Sequence, residues 1–401
     1  MLIRSYNKMA RIFERAVFVI GSTAVGKTKL GIDIAKYING EIISTDSMQI
    51  YQKASLMTAK PTFEEQQQVK HHLIDFLPLN KRNFTVREYQ ELALSAASDI
   101  VSRGKTPVFV GGTMYYVESV LFDKDYPHEN LIPEIPDSEV LKNLELVDES
   151  FVKTNDSNPR HLRNAYFYYL TTGKKPSERV LEQKLRFKHS IIIWLQCSLE
   201  VLELRVRKRI EMMIQDGGLT EIEEVLDSCQ CDSTRGVLQS IGYKEFEPFF
   251  LQKNTLQECV DRLVLSTTQY SKKQIRWIKN RIDSHLKINK IDTSNAEDWE
   301  SIKSKGLEAL VQETGETDFI IPKQSAWECQ TCGIFLKGSS EWAQHIRSKK
   351  HKKKKELEVS DDDIERPCEI CEKPIQGKKH WLLHLKSKKH IRKSKNQQVP
   401  D

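Results

Sequence analysis

One segment near the start of the chain constrains the fold more than any other. Gly21-Ser22-Thr23-Ala24-Val25-Gly26-Lys27-Thr28 is a complete G-x4-G-K-[ST] loop. An apolar run, Ala16-Val17-Phe18-Val19-Ile20, precedes it, and a helical stretch from Lys27 to about Tyr37 follows. A buried strand ending in such a loop and feeding a helix lets backbone N–H groups converge on a phosphate at the helix N-terminus. Lys27 supplies a point charge, and the Thr28 hydroxyl suits a Mg²⁺ ligand. The loop thus fixes an anion site and leaves open which phosphate it holds.

Further buried-strand signals lie at 41–45, 107–110 and 190–197, the last leading into a helix near Leu199. Buried strands alternating with helices predict an α/β fold, a doubly wound parallel sheet carrying the phosphate loop. The core is expected over 16–120 and 188–282, with helices across 199–282. Residues 121–187 lack a strand signal and read as a helical insertion. Its second half is basic and aromatic, with Arg160, Arg163 and Tyr166-Phe167-Tyr168-Tyr169. Residues 283–325 read as a linker with one short helix, opened by a capping box at Ser294-Asn295-Ala296-Glu297.

The tail holds an internal repeat. Cys329-x2-Cys332-x12-His345-x5-His351 recurs 39 residues later as Cys368-x2-Cys371-x12-His384-x5-His390. Two thiolates and two imidazoles at this spacing predict two closed, structural Zn²⁺ sites. Each is expected to organise a ββα finger, over 326–355 and 365–395, with His380 a spare surface histidine. The His-x5-His spacing resembles matrin-type fingers, which implies structured RNA as a partner.

Charge points the same way. Residues 323–401 carry 19 Lys and Arg against 11 Asp and Glu, whereas the first 322 carry 43 against 45. The positive surplus sits in the tail, as in an arm for a polyanion. The longest aliphatic stretch, Ile191-Ile192-Ile193-Trp194-Leu195, is far short of the ~20 residues that span a bilayer, so no membrane partner is expected. Metal-spaced cysteines, with Cys197, Cys229, Cys231 and Cys259 scattered, favour a reducing compartment. Residues 1–15 set Arg4, Lys8, Arg11 and Arg15 among Leu2, Ile3, Ile12 and Phe13, a basic start that can act as a mitochondrial transit segment. Glu14 counts against that role. The expected location is cytoplasmic, with mitochondrial and nuclear pools in addition.

From these residues alone diphosphate or triphosphate binding is expected and the transferred group stays open. A nucleotide or polynucleotide kinase would use Arg205 and Arg209 as phosphate clamps and Asp46 as a Mg²⁺ ligand. The strand over 107–110 ends in Gly111-Gly112-Thr113 without an acid, which argues against an ATPase.

The order of motifs resembles the tRNA dimethylallyltransferase (isopentenyltransferase) family over about 20–281. The matching segments are Gly21–Thr28, Asp46-Ser47-Met48-Gln49-Ile50-Tyr51, Thr58-Ala59-Lys60-Pro61-Thr62 and His71-His72-Leu73-Ile74-Asp75. Gly111-Gly112-Thr113, Arg160-His161-Leu162-Arg163 and the stretch Thr171 to Ser177 follow. Gly218-Leu219-Thr220-Glu221, Gln239 to Glu245 and Gln269 to Trp277 complete the series.

The resemblance implies transfer of a dimethylallyl group from its diphosphate to an adenine amine in tRNA. It makes Asp46 the base or the orienter of that amine. It sets Thr23 against the donor and gives Lys27, Arg209 and Mg²⁺ at Thr28 the leaving diphosphate. Ser47, Met48, Gln49 and Thr113 would meet the extruded base. Arg160, Arg163, Gln239, Ser240, Ile241, Gly242, Tyr243 and Lys244 would contact tRNA around it. Lys272, Lys273 and Arg276 would meet the phosphate backbone. A monomer is expected. Met114 stands where the family commonly has glycine, which implies a narrower channel; Lys70 replaces a usual proline, and the second finger is an addition.

Overall fold

A computed structural model describes residues 15–81, 84–123, 135–155, 159–178, 182–229, 236–295, 297–311, 319–320, 326–358, 365–376 and 378–396. Of the basic start over 1–15, read as able to act as a targeting segment, residues 1–14 lie outside the described residues, as does Cys231. The chain divides into two units, 1–128 with 182–321, and 129–181 with 322–401.

In the first unit β1 (Arg15–Gly21) runs through the phosphate loop into α1 (Lys27–Tyr37), followed by β2 (Gly40–Ser44). Next come α2 (Phe63–Gln68), β3 (His71–His72), α3 (Val86–Ser102), β4 (Thr106–Gly111) and α4 (Met114–Leu121). Helices α5 (Asp137–Asn155) and α6 (Pro159–Thr172) belong to the second unit. The first unit resumes with β5 (Glu182–Gln183), β6 (His189–Gln196), α7 (Leu199–Met213), α8 (Leu219–Ser228), α9 (Tyr243–Phe250) and α10 (Leu256–Ile278). It closes with β7 (Asn289–Asp292), α11 (Trp299–Glu308) and β8 (Phe319–Ile320).

Six parallel strands lie in the order β3-β2-β4-β1-β6-β7. From β1 the chain winds first to one side, through β2 and β4, then to the other, through β6 and β7. The carboxyl end of β1 therefore sits at the switch point, where open α/β sheets bind ligands. Alternation along β1 explains burial on both faces. Val17 and Val19 pack with Leu30, Ile34, Leu202 and Val206. Phe18 and Ile20 face the other way, where Phe18 stacks on Phe109 at 4.8 Å and 14°.

Several expectations are corrected here. The sheet has two strands beyond the four anticipated, and one of them, β7, lies in the supposed linker. Asn-Lys-Ile-Asp offers a single buried apolar side chain, Ile291, so an edge strand left no apolar run to read. The helix after it is capped by Asp298, whose carboxylate accepts from Ser301 N at 3.3 Å. Ser294 instead turns back, its N–H and hydroxyl donating to Asp292 Oδ1 at 2.8 and 2.6 Å. The core also reaches into the supposed insertion, since Phe122 bridges to Leu185 and Phe187 is fully buried. Met114 is buried with the core behind β4 and is not among the residues that line the cavity at the carboxyl edge of the sheet.

In the second unit α5 and α6 pack through Val140, Leu144, Val152, Leu162 and Ala165. A non-helical residue, Asp148 (φ −153°, ψ 72°), kinks α5. Its buried carboxylate accepts from Phe151 N at 3.1 Å and from Ser177 N at 2.6 Å, which ties the kink to the end of the Thr171–Ser177 motif.

The tail forms two hairpins, β9 (Ala326–Cys329) with β10 (Ile334–Lys337) and β11 (Glu365–Cys368) with β12 (Lys373–Gln376). After each come two helices in place of the one anticipated. They are α12 (Gly338–Arg347) and α13 (Lys349–Glu358), then α14 (Lys378–Leu385) and α15 (Lys388–Asn396). The breaks fall at Ser348 and Ser387, whose hydroxyls accept from the N–H of His351 and His390 at 3.1 and 3.2 Å. Each serine acts as an N-cap inside the His-x5-His interval and re-aims the second histidine.

Candidate active site and zinc centres

The ends of β1, β2 and β4 open onto a cavity of about 880 Å³, whose lining residues all belong to the first unit. From the phosphate loop Thr23, Ala24, Gly26, Lys27 and Thr28 line it, while Val25 turns into the core and Gly21 and Ser22 are buried. Lys27 Nζ crosses the loop and donates to Ser22 O at 2.6 Å. Burial pushes the Lys27 ammonium down to about 8; Asp46 opposes that shift and Arg209 adds to it. Arg209, from α7, also lines the cavity and donates to Thr23 Oγ1 at 3.4 Å. Burial lowers its pKa as well, against the pull of Asp46.

Asp46 follows β2 and lines the same cavity. Its Oδ1 accepts from Met48 N at 2.9 Å and Gln49 N at 3.4 Å, a turn that fixes the carboxylate. Ser47, Met48 and Gln49 line the wall with it. Gln49 is itself clamped, accepting from Ser44 Oγ at 3.1 Å and donating to Ala59 O at 2.9 Å. Thr113 is not among the lining residues; its Oγ1 accepts from Ser47 N at 3.0 Å and so shapes the wall from behind.

Gln239, Ser240, Ile241, Lys244 and Lys273 also line the cavity. Lys272 and Arg276 are exposed on α10 and do not line it. Tyr243 departs from its expected role as an RNA contact. It is fully buried, and its hydroxyl donates to Glu221 Oε1 at 3.0 Å. Gly242 is buried beside it, against Met57. In the second unit Arg163 pairs with Asp137 at 2.6 Å and donates to Ile135 O at 2.7 Å, which fastens α6 to the start of α5. Arg160 lies in the first turn of α6, and its side chain is outside the described residues.

Three residues do more than their sequence setting suggested. Along α10 the buried face passes from Leu263 and Val264 to Thr268, Ser271 and Gln274, then back to Ile278. A polar interruption in an apolar stripe was the available signal. Gln274 Oε1 accepts from Thr23 N at 3.2 Å and its Nε2 donates to Gly112 O at 2.8 Å, joining the phosphate loop to the end of β4. At Gly112 a Cβ would come within 2.4 Å of Gln274 Nε2, so only glycine permits this bridge. One helical turn back Tyr270, 37% exposed, lines the cavity, where desolvation at the wall and then the Asp46 carboxylate raise its pKa to about 12.

Glu221 is the third. Its carboxylate accepts from Ser55 N and Leu56 N at 2.7 Å and from Met57 N at 2.9 Å, besides the Tyr243 hydroxyl. Separate sequence motifs thus meet at one acid that fixes the loop carrying Thr58, Ala59 and Lys60 into the cavity. Glu221→Ala would leave these donors without an acceptor. We expect a loss of about 2 kcal/mol or more in urea unfolding, together with faster amide exchange over 55–60. Unaltered exchange there would show that the loop holds itself.

Arg205, a phosphate clamp in the kinase reading, is engaged elsewhere. It donates to Thr293 O and Ser294 O and ties α7 to the end of β7.

In the tail, the ligand atoms of Cys329, Cys332, His345 and His351 lie within 4.8 Å of one another, as do those of Cys368, Cys371, His384 and His390. His351 Nδ1 is 3.4 and 3.5 Å from the two sulfurs and 3.0 Å from His345 Nε2. Tetrahedral zinc with ordinary Zn–S and Zn–N bonds separates S from N by about 3.5 Å, so these donor sets fit the ion. The second set repeats this, with 3.5 Å to each sulfur and 3.1 Å between the nitrogens. We expect a strong chelator to abolish exchange protection over 326–355 and 365–395 while 15–123 stays protected. Protection that survives metal removal would mean that packing, rather than zinc, holds the fingers.

A glycine-rich G-x4-G-K-T loop, a nearby carboxylate and a cavity at the switch point of a doubly wound parallel sheet are the setting of a transferase. The IPP transferase family matches residues 49–281. Over 283 residues the chain is 36% identical to the tRNA dimethylallyltransferase of Bacillus cytotoxicus, covering 67% of this chain and 89% of that protein. A solved eukaryotic dimethylallyltransferase acting on tRNA superposes with a TM-score of 0.71 at 27% identity, covering 86% of this chain and 97% of that one. The tRNA isopentenylpyrophosphate transferase of Bacillus halodurans gives 0.54 at 28%, covering 74% and 98%. In the tail, a family described as zinc-finger double-stranded RNA-binding matches 326–352, and a C2H2-type zinc finger matches 367–390. The chain belongs to the IPP transferase family and carries two C2H2-type zinc fingers. No helix among the described residues is long and apolar enough to cross a membrane.

Proposed function

We infer that the protein transfers a dimethylallyl group from dimethylallyl diphosphate to the N6 amine of the adenosine next to the anticodon in tRNA, giving N6-isopentenyladenosine. One observation carries this reading: Asp46, Lys27, Thr23 and Arg209 face a single cavity, with a carboxylate near a phosphate cradle. The names of the relatives supply the substrate class.

An adenine amine is a weak nucleophile, because its lone pair is shared with the ring. In this reading the N6–C1 bond forms as the C1–O bond to diphosphate breaks, and the amine proton passes to Asp46. Negative charge gathers on the departing diphosphate. The loop N–H groups, Lys27 and Arg209 are set to receive it before the reaction begins. Thr28, which lines the cavity in the first turn of α1, would hold Mg²⁺, and the ion would add positive charge at the same diphosphate. The extruded base would enter between Ser47–Gln49 and Gln239–Ile241, with Lys244 and Lys273 at the backbone phosphates. The basic fingers would add affinity for folded RNA. In this reading the working form is a monomer. The protein would act where its tRNA is, in the cytoplasm, with mitochondrial and nuclear pools.

Mass spectrometry of tRNA nucleosides after incubation with dimethylallyl diphosphate and Mg²⁺ tests the proposal. N6-isopentenyladenosine should appear at one position. Labelled γ-phosphate on RNA or nucleotide from ATP, with no prenylated base, would sink it.

A further inference from the structure

The phosphate loop is gripped from behind by a residue that the reaction itself does not require. Trp299 opens α11, outside the stretch matched by the IPP transferase family. At Gly26 (φ +90°) a Cβ would lie 3.1 and 3.2 Å from the Trp299 ring carbons Cζ3 and Cη2. The indole therefore lies flush against the loop at the residue that caps α1, immediately before Lys27 and Thr28.

Its orientation is fixed at two further points. The indole N–H donates to Asp33 Oδ2 at 2.9 Å, on α1, and the Lys29 ammonium lies 4.2 Å from its ring centroid. The rest of α11 is fastened along the same helix. Gly306 lets α11 approach until a Cβ would meet Leu30 at 2.7 Å, and Ile302 is buried at 3% exposure. At the far end Arg15, the first residue of β1, donates to Leu310 O at 2.7 Å. One helix thus spans from the start of β1 to the loop that follows β1.

We propose that Trp299 is a positioning residue for the phosphate loop: its indole holds Gly26 in the left-handed turn that aims the α1 amides at a diphosphate. A loop whose backbone must converge on an anion gains affinity when it is held in that shape before binding. Glycine alone is free to leave it, since it visits many conformations. The indole removes that freedom by packing and by its bond to Asp33. Trp299 is not among the residues that line the cavity and packs on the loop and on α1, so its effect should fall on donor binding.

The inference rests on the proposed function only for the identity of the diphosphate, and the test separates the two. Binding of inorganic pyrophosphate with Mg²⁺ to the full-length protein is measured by calorimetry, alongside steady-state kinetics and melting. Trp299→Ala should weaken pyrophosphate roughly tenfold, the lower end of what supporting contacts around a binding site contribute. KM for the prenyl donor should rise by a similar factor, with kcat and tRNA affinity within about twofold of the parent. Trp299→Phe keeps a ring on Gly26 and should recover most of the affinity. Ile302→Ala, in the same helix but away from the loop, should lower Tm and leave pyrophosphate binding unchanged. Parental affinity in Trp299→Ala, or equal weakening by Ile302→Ala, would overturn the inference. No pyrophosphate binding by the parent protein would instead overturn the assignment of the cradle.

Discussion

Asp46→Asn is expected to slow prenyl transfer by about 10²- to 10⁴-fold at saturating substrates, with tRNA affinity nearly unchanged. The substitution is chosen because it spares the geometry. Asp46 Oδ1 holds a local turn by accepting from Met48 N and Gln49 N, and an asparagine oxygen can accept the same two bonds. What it cannot do is take a proton from the amine. Among the described residues no protein group donates to the second carboxylate oxygen, Oδ2, so it is available to a substrate. A variant that folds, binds tRNA and fails to turn over would place the loss in the chemical step. Turnover near the parental rate would remove Asp46 from proton transfer and leave it at most a wall of the cavity. A second readout comes with the same protein. Asp46 supports the charge on Lys27 and Arg209, so its neutralisation should move the alkaline limb of donor binding to lower pH.

The outline of this site was readable in the sequence because its key unit is local. Strand, loop and helix follow one another from Ala16 to Tyr37, and the apolar run and glycine spacing report that unit without help from distant residues. The carboxylate after β2 and the Gly-Gly-Thr after β4 come next because every parallel strand delivers its carboxyl end to the same edge of the sheet. What stayed hidden depends on partners far along the chain. Tyr243 has the composition of a surface RNA contact, yet it is buried because Glu221, on another helix, offers it an acceptor. Gln274 sits in a basic helix and reads only as part of a motif, while its amide links two loops more than 150 residues away in sequence. The edge strand β7 and the cap at Asp298 escaped for a different reason. Half-exposed elements carry few apolar residues, and Ser294 offered an equally good local cap. Pattern reading finds elements that bury a whole face, and it is weakest where one polar atom decides the outcome.

Lys27→Met is expected to stabilise the ligand-free protein while weakening donor binding by about 10²-fold or more. The two effects share one cause. The ammonium is desolvated beneath the loop, with Ser22 O as its near partner and Arg209 as a like charge in its field. Its pKa of about 8 in the folded protein is below the ordinary 10.5, so burial disfavours the charged form more than Asp46 restores it. Below pH 8 both folded and unfolded chains keep the proton, and the folded state bears the full penalty. From pH 8 to 10.5 folding releases that proton, and stability contributed by this group rises with pH. Methionine fills similar space without charge and should raise stability at pH 7 by on the order of 2 kcal/mol, with no gain at pH 10.5. Donor binding should show the opposite trend in the parent. A bound diphosphate needs the ammonium, so donor KM should climb above about pH 8, and in Lys27→Met that inflection should vanish. Calorimetric melting at the two pH values and a donor KM profile from pH 6.5 to 9.5 decide the matter. A less stable methionine variant would show that Lys27 holds the loop together, whereas a pH-independent donor KM in the parent would show that its charge does not grip the diphosphate.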